Sequence, residues 1–86
     1  MLKLYTTTWC PDCHRTKRFL ADHGIAFEEI KIEQVDGAAD WVAEHNQGKY
    51  KVPTVDCGDG HIFACSPFDA RILRRELSLA ADPIPS

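Results

Sequence analysis

The sequence lacks a hydrophobic run long enough to cross a membrane. None of its uncharged stretches approaches the roughly 18 to 20 consecutive apolar residues of a transmembrane helix, and the longest of them contain Thr, Gly or Pro. The N-terminal residues also lack the apolar stretch and small-residue cleavage site of a secretory signal. We therefore predict a cytoplasmic protein with no membrane association.

Positive charge is in deficit as well. Ten Lys and Arg residues stand against thirteen Asp and Glu residues, which gives a formal net charge of −3. A general nucleic-acid-binding protein needs Lys and Arg to outnumber the acids on one face. The composition therefore argues against a nucleic-acid partner.

The chain is too short for two domains and contains no repeats. Its 86 residues predict one domain over residues 1–80 and a monomer. Residues 81–86 include two prolines and offer little to bury, so we expect this C-terminal tail to fray.

Hydrophobic patterns predict four strands and three helices. The first half of the chain is predicted to hold a strand at 2–6, a helix at 11–23, a strand at 27–32, and a helix that Asp36 caps and that runs to about Asn46. Two strands follow at 54–57 and 61–64, joined by the turn Gly58-Asp59-Gly60. The last helix begins at Ser66 and Pro67, and one of its faces carries Phe68, Ile72, Leu73, Leu77 and Ala80. Charged residues put the second strand at a sheet edge, and the glycine turn makes the last two strands a hairpin. The order predicts an α/β protein with helices on both faces of one four-stranded mixed sheet.

Four cysteines in a small cytoplasmic chain indicate a redox or metal site rather than a disulfide framework. Cys10 and Cys13 enclose Pro11 and Asp12 where the first strand meets the first helix. Cys10 should cap this helix, where unpaired backbone N–H groups and the positive helix end favour a thiolate. We predict that Cys10 is the nucleophile and that Cys13, one turn inside the helix, is the shielded thiol that resolves its adducts.

A second motif, Val52-Pro53-Thr54-Val55, places a proline directly before a strand. A cis bond at Pro53 would leave the Val52 backbone free to pair with an extended substrate, whereas a trans proline would merely begin the strand. Together with the upstream cysteine pair and the strand order, this motif is specific.

Over residues 2–79 the sequence resembles the glutaredoxins of the thioredoxin superfamily. The resemblance rests on Trp9-Cys10-Pro11-Asp12-Cys13 and on Val52-Pro53, and the pattern from Asn46 to Val55 is similar to that of the mycoredoxin branch. It implies the thioredoxin fold and a thiol-disulfide oxidoreductase that acts on disulfide-containing or S-thiolated proteins.

The resemblance also implies roles for single residues. Cys10 would attack the disulfide, Cys13 would resolve the adduct and Pro53 would be the cis proline on the substrate side. A groove for a small thiol would be lined by Thr8, Lys51 and Val52. Trp9 and Pro11, the two neighbours of Cys10, complete the expected substrate site, and Trp9 would flank the docking surface with its ring. Relatives can bridge an iron–sulfur cluster between two chains, with Cys10 and a bound thiol as ligands here, but Pro11 stiffens the loop and disfavours this alternative.

The residues after the last strand depart from the glutaredoxin pattern. Glutaredoxins that prefer glutathione have Gly-Gly there, then a variable residue and a Thr-Asp or Asp-Asp pair, whereas this sequence reads Phe63-Ala64-Cys65-Ser66-Pro67. Ser66 and the start of the third helix could bind a carboxylate, but no acid remains for an α-ammonium group. Glutathione, mycothiol, bacillithiol and a protein disulfide without a small thiol stay open as partners. An NADPH-dependent reductase would recycle the small thiol, and no bound cofactor is expected.

The other two cysteines are expected to lie apart. A hairpin register centred on the glycine turn puts Cys65 opposite Pro53 and Cys57 beside the turn, about 13 Å apart along the strands and too far for a disulfide. Cys65 is expected near the rim of the active site, where it could contact substrate or be oxidised, or alternatively as a packed thiol. Cys57 is expected to be packed.

Two metal-based alternatives are weaker. Cys10 to His14 matches the C-x-x-C-H signature of c-type haem, but the only methionine is Met1 and haem attachment normally needs an exported protein. Zinc would need a second close ligand pair, and Cys57 and Cys65 do not form one. We predict no metal.

The predicted activity is reduction of protein disulfides, or of mixed disulfides with a small thiol, through Cys10 and Cys13. The alternative is a thioredoxin-like hydrogen donor to one dedicated protein partner, recycled by a flavin reductase. Composition does not separate the two.

Overall fold

A computed structural model describes residues 1–58 and 60–77. Its elements in chain order are β1 (Leu2–Thr6), α1 (Pro11–Asp22), β2 (Phe27–Lys31), α2 (Ala38–Glu44), β3 (Thr54–Asp56), β4 (Ile62–Ala64) and α3 (Ala70–Glu76). The number and order of elements match the prediction, so the α/β class is confirmed. The calls for Asp59, for Ala80 and for a frayed tail at 81–86 lie outside the described residues.

The four strands form one mixed sheet in the order β2-β1-β3-β4. β1 and β2 are parallel, whereas β3 is antiparallel to both β1 and β4. Thr54 lies opposite Ala64 and Asp56 opposite Ile62, which is the register predicted from the glycine turn. β2 is an edge strand, as its charged residues indicated.

Helices cover both faces of the sheet. Alternation along β1 directs Leu4 into a core with Leu20 of α1 and Leu73 of α3, whereas Tyr5 points to the other face, where Val42 of α2 packs. The Tyr5 ring also stacks on Trp41, with centroids 4.3 Å apart. The active-site end of β1 is therefore held between two packed layers.

Glu29 connects β2 to its neighbours. Its carboxylate accepts a hydrogen bond of 2.8 Å from the Thr6 hydroxyl and pairs with the Lys17 ammonium at 3.0 Å. Burial acts to raise the pKa of Glu29, but these two partners outweigh it and hold the pKa below its usual value. The edge strand is thereby tied to both β1 and α1.

Two helix starts differ from the prediction. Gly37, in a left-handed conformation at φ 82°, is the N-cap of α2 in place of Asp36, so this helix runs only from Ala38 to Glu44. α3 begins at Ala70 rather than at Ser66 and Pro67, because the Asp69 carboxylate accepts the Arg71 backbone N–H at 2.9 Å. A carboxylate at a helix N-terminus is a strong cap.

Among the described residues, no helix has both the length and the apolar character needed to span a bilayer.

Candidate active site

Cys10 lies in the loop between β1 and α1 and is the N-cap of α1. Its backbone is extended, with φ −100° and ψ 110°, and its Sγ accepts a hydrogen bond of 3.1 Å from the backbone N–H of Cys13. Pro11 occupies the start of the helix, where the N–H that it lacks would have had no intrahelical partner. The capping geometry expected from the sequence is confirmed.

Cys13 is the inner sulfur of the pair. Only 1% of the residue is exposed. Burial, followed by its hydrogen bond with Cys10, raises the pKa of Cys13 to about 12, although the Thr7 backbone and the Lys17 charge act in the opposite direction. At neutral pH this thiol keeps its proton, and the two cysteines are chemically unequal.

The loop before β3 meets Cys10 from the other side. The Cys10 Sγ lies 3.7 Å from the Val52 carbonyl oxygen, and the peptide bond between Val52 and Pro53 is cis. Pro53 is buried, and its carbonyl accepts the Cys65 backbone N–H at 2.9 Å. The two sequence motifs are therefore brought together at one sulfur.

The remaining expected substrate residues are exposed near this junction. Trp9 leaves 74% of its surface open next to Cys10, and Lys51 is exposed beside Val52. Thr8 is also exposed, but its backbone N–H and its hydroxyl both donate to the Glu33 carboxylate. Ser66 is exposed after β4.

The side chain of Cys65 is not at the rim. The residue is 0% exposed, and it packs in the core with Leu20 and Leu73. Its sulfur lies 3.5 Å from the Asp69 backbone nitrogen, and burial raises the pKa of its thiol. The register was predicted correctly, and of the two alternatives for this thiol the packed one is confirmed, because the side chain turns inward beneath α3. This burial argues against the expected contact with substrate.

Two exposed residues near the site were missed from the sequence. Glu33 fixes the loop at Thr8, and nothing in the local pattern of the segment between β2 and α2 marks it. Tyr50 is 63% exposed and lies two residues before Val52. An aromatic residue between two lysines in a short connection was the available signal for it.

The segment after β4 also differs from the prediction at Asp69. The pattern at residues 63–67 predicted no acid to pair with an α-ammonium group, and the structure places the carboxylate of Asp69, two residues further on, at the start of α3. Its oxygens already bind the Arg71 guanidinium at 3.2 and 3.3 Å, and these hydrogen bonds hold the pKa of Asp69 below its usual value.

Metal ligands do not cluster in the part of the chain that the structure describes. No three His, Cys, Asp or Glu side chains within residues 1–58 and 60–77 are grouped as a metal site would require. Cys10 and Cys13 are both in the thiol form.

Comparison with known proteins matches this arrangement to one family. The glutaredoxin family model matches residues 2–62. A Mycobacterium tuberculosis relative that carries the glutaredoxin name is 44% identical over 59 residues, which cover 69% of this chain and 70% of the relative. Mycoredoxin 1 of Corynebacterium glutamicum is 34% identical over 77 residues, which cover 90% of this chain and 94% of the relative.

A solved structure shares the fold. NrdH-redoxin of Escherichia coli, described as a glutaredoxin-like protein with a thioredoxin-like activity profile, superimposes with a TM-score of 0.68 at 32% identity. The match covers 86% of this chain and 91% of that one. The thioredoxin-like fold is therefore shared with this protein.

Proposed function

The chain belongs to the glutaredoxin family of thiol oxidoreductases, and we propose that it reduces protein disulfides, or mixed disulfides between proteins and a small thiol, through Cys10 and Cys13. The observation that carries the proposal is the unequal pair of sulfurs. Cys10 lies at the start of α1 beside the Val52 carbonyl, while Cys13 is buried and protonated behind it. Such a pair supplies one nucleophile and one reserve thiol.

The first step transfers the substrate to Cys10. The Cys10 thiolate attacks one sulfur of the substrate disulfide, a new S–S bond forms, and the old S–S bond breaks. The leaving thiolate takes a proton from solvent. The backbone N–H of Cys13, which already contacts the Cys10 sulfur, stabilises negative charge at that position before attack.

The second step releases the substrate. Cys13 loses its proton to solvent and attacks the Cys10 sulfur, which expels the bound thiol and leaves a disulfide between Cys10 and Cys13. Two electrons have then passed from the protein to the substrate, and an external two-electron reductant, such as two equivalents of a small thiol, must return them. If Cys13 is bypassed, a small thiol attacks the Cys10 adduct directly.

Substrate contacts are assigned to the residues around Cys10. Val52 and Pro53 provide the backbone surface beside the sulfur, and Trp9 provides an aromatic flank. The small thiol, whether glutathione, mycothiol or bacillithiol, would lie near Thr8 and Lys51. Pro11 would stiffen the loop, and Ser66 would make a polar contact with the substrate. An NADPH-dependent reductase would recycle the small thiol. We also propose that the protein is a cytoplasmic monomer with one domain at 1–80.

Turnover of defined substrates tests this function. The wild-type protein should reduce a peptide mixed disulfide, Cys10→Ser should have no measurable activity, and Cys13→Ser should either accumulate a Cys10 adduct or turn over only with added small thiol. Mass spectrometry of the quenched reaction identifies the adduct. Full activity in Cys10→Ser would contradict the proposal.

A second candidate is a thioredoxin-like hydrogen donor to a dedicated protein partner. It is favoured by the likeness to NrdH-redoxin and by Phe63-Ala64, which stand where glutathione-preferring members have two glycines. Reduction of insulin, compared with reduction of a peptide mixed disulfide in the presence of several small thiols, separates the two. Rapid insulin reduction with a flavin reductase as the only electron source would favour the second candidate.

A further inference from the structure

A buried amide lies two residues after the end of α2. Asn46 is only 7% exposed, and its Nδ2 donates to the Val42 carbonyl at 2.8 Å and to the Thr54 hydroxyl at 3.2 Å. A carbonyl oxygen can only accept hydrogen bonds, so the amide nitrogen must face Val42. This fixes the orientation of the amide group.

The direction of the next hydrogen bond follows from the first. Thr54 is fully buried at the start of β3, and its Oγ1 lies 2.5 Å from the Lys51 carbonyl oxygen. Because this hydroxyl accepts from Asn46, its single proton is free to go to Lys51. The result is a directed chain of hydrogen bonds from Asn46 through Thr54 to the Lys51 carbonyl.

This chain ends next to the reactive sulfur. The Lys51 carbonyl belongs to the peptide unit that leads into Val52, and the Val52 carbonyl lies 3.7 Å from the Cys10 Sγ. Gln47 and Gly48 turn the chain in left-handed conformations between Asn46 and this segment. Two buried side chains thus hold a segment whose other residues, from Gln47 to Lys51, are exposed.

We propose that Asn46 and Thr54 are positioning residues that hold the Lys51–Val52 backbone where a polypeptide substrate lies against Cys10. The inference rests on the proposed function and deepens it. A substrate with a peptide backbone needs this surface in one place, whereas a small disulfide needs only access to the sulfur. The two side chains therefore favour polypeptide disulfides over small ones.

Matched substrates and variants test the proposal. The substrates are a peptide joined to mercaptoethanol by a disulfide and bis(2-hydroxyethyl) disulfide, which lacks a peptide backbone. Thr54→Val removes the hydroxyl at nearly constant shape, and Thr54→Ser retains it. In single turnovers of the reduced protein, we expect Thr54→Val to lower the rate constant for the peptide substrate about tenfold. The small disulfide and iodoacetamide should react with Cys10 within about twofold of the wild-type rate, and Thr54→Ser should restore the peptide rate.

A double variant tests whether the two residues act as one chain. We expect Asn46→Ala to show the same substrate-selective loss, and the double variant Asn46→Ala/Thr54→Val to lose no more than Thr54→Val alone. Thr6→Val is the matched control, because it removes another fully buried hydroxyl whose partner is Glu29 on β2. This control should leave the ratio of the two rate constants unchanged.

The possible outcomes are distinct. If the wild-type protein reduces neither substrate, the proposed function fails. If it reduces both and Thr54→Val slows them equally, or Thr54→Ser behaves like Thr54→Val, the proposed function stands and the positioning role is refuted. A ratio altered as much by Thr6→Val would also refute it.

Discussion

Two cysteines in this protein face the start of a helix, and they differ in exposure to solvent. The Cys10 sulfur accepts a backbone N–H at 3.1 Å at the start of α1, and the Cys65 sulfur has a similar contact of 3.5 Å with Asp69 before α3. Cys10 is partly exposed, whereas Cys65 is buried. A helix start supplies hydrogen bonds to sulfur, but access to a substrate depends on what covers the thiol.

The largest expected difference is in alkylation rate. With Cys57→Ser as the background, iodoacetamide at pH 7.5 should modify Cys10 at least about 100-fold faster than Cys65 or Cys13, because burial keeps the inner thiols protonated and covered. Peptide mapping by mass spectrometry over time measures the three rates. If Cys65 reacts as fast as Cys10, exposure is not what separates them.

The buried thiols should also make stability depend on alkaline pH. The pKa of Cys13 is raised from 9.0 to about 12, so above pH 9 the unfolded chain releases a proton that the folded protein retains. This contribution to the free energy of unfolding is complete below pH 9 and is lost as pH rises towards 12.

Urea titrations at pH 7, 9 and 10.5 measure this effect. The free energy of unfolding should decrease between the last two values, and the decrease should be smaller in Cys13→Ala. Cys10→Ala provides the comparison at the outer position. An identical decrease in the wild-type protein and Cys13→Ala would show that the inner thiol does not contribute.

The smallest effect is expected from the exposed surface that Cys10 has and Cys65 lacks. Trp9→Ala should raise the KM for reduction of a protein disulfide about threefold to tenfold, the range expected for loss of one aromatic contact. Val35→Ala is the control, since Val35 is another exposed apolar residue, located between β2 and α2. Equal effects of the two substitutions on KM would show that Trp9 is not part of the docking surface.

The sequence was informative where chemistry is local. Cys10 caps its own helix, and the two glycines of the hairpin set the register that puts Cys65 opposite Pro53; neither depends on distant residues. Helix starts were harder to predict. The observed N-caps are Gly37 and Asp69, not Asp36 and Ser66, because the path by which the chain enters each packed helix decides which residue caps it.

The direction in which a side chain points was the other feature that the sequence could not predict. Register identified the residue opposite Pro53, but whether Cys65 points to solvent or to the core depends on α3, which packs over it. Asn46 looked like the end of a helix, and its partner Thr54 looked like an ordinary strand residue. Their hydrogen bond crosses from one element to another, and no pattern along the chain indicates it.

The charged edge strand has a consequence for protein at high concentration. Among the described residues, β2 has a strand neighbour on one side only, and the row of backbone N–H and C=O groups on its other side is a template for pairing with another molecule. Three of the five residues of β2 are charged, namely Glu28, Glu29 and Lys31, so a second chain that added there would have to strip water from charged side chains. The same charges that reveal the edge in the sequence therefore protect the folded protein against growth into aggregated sheets.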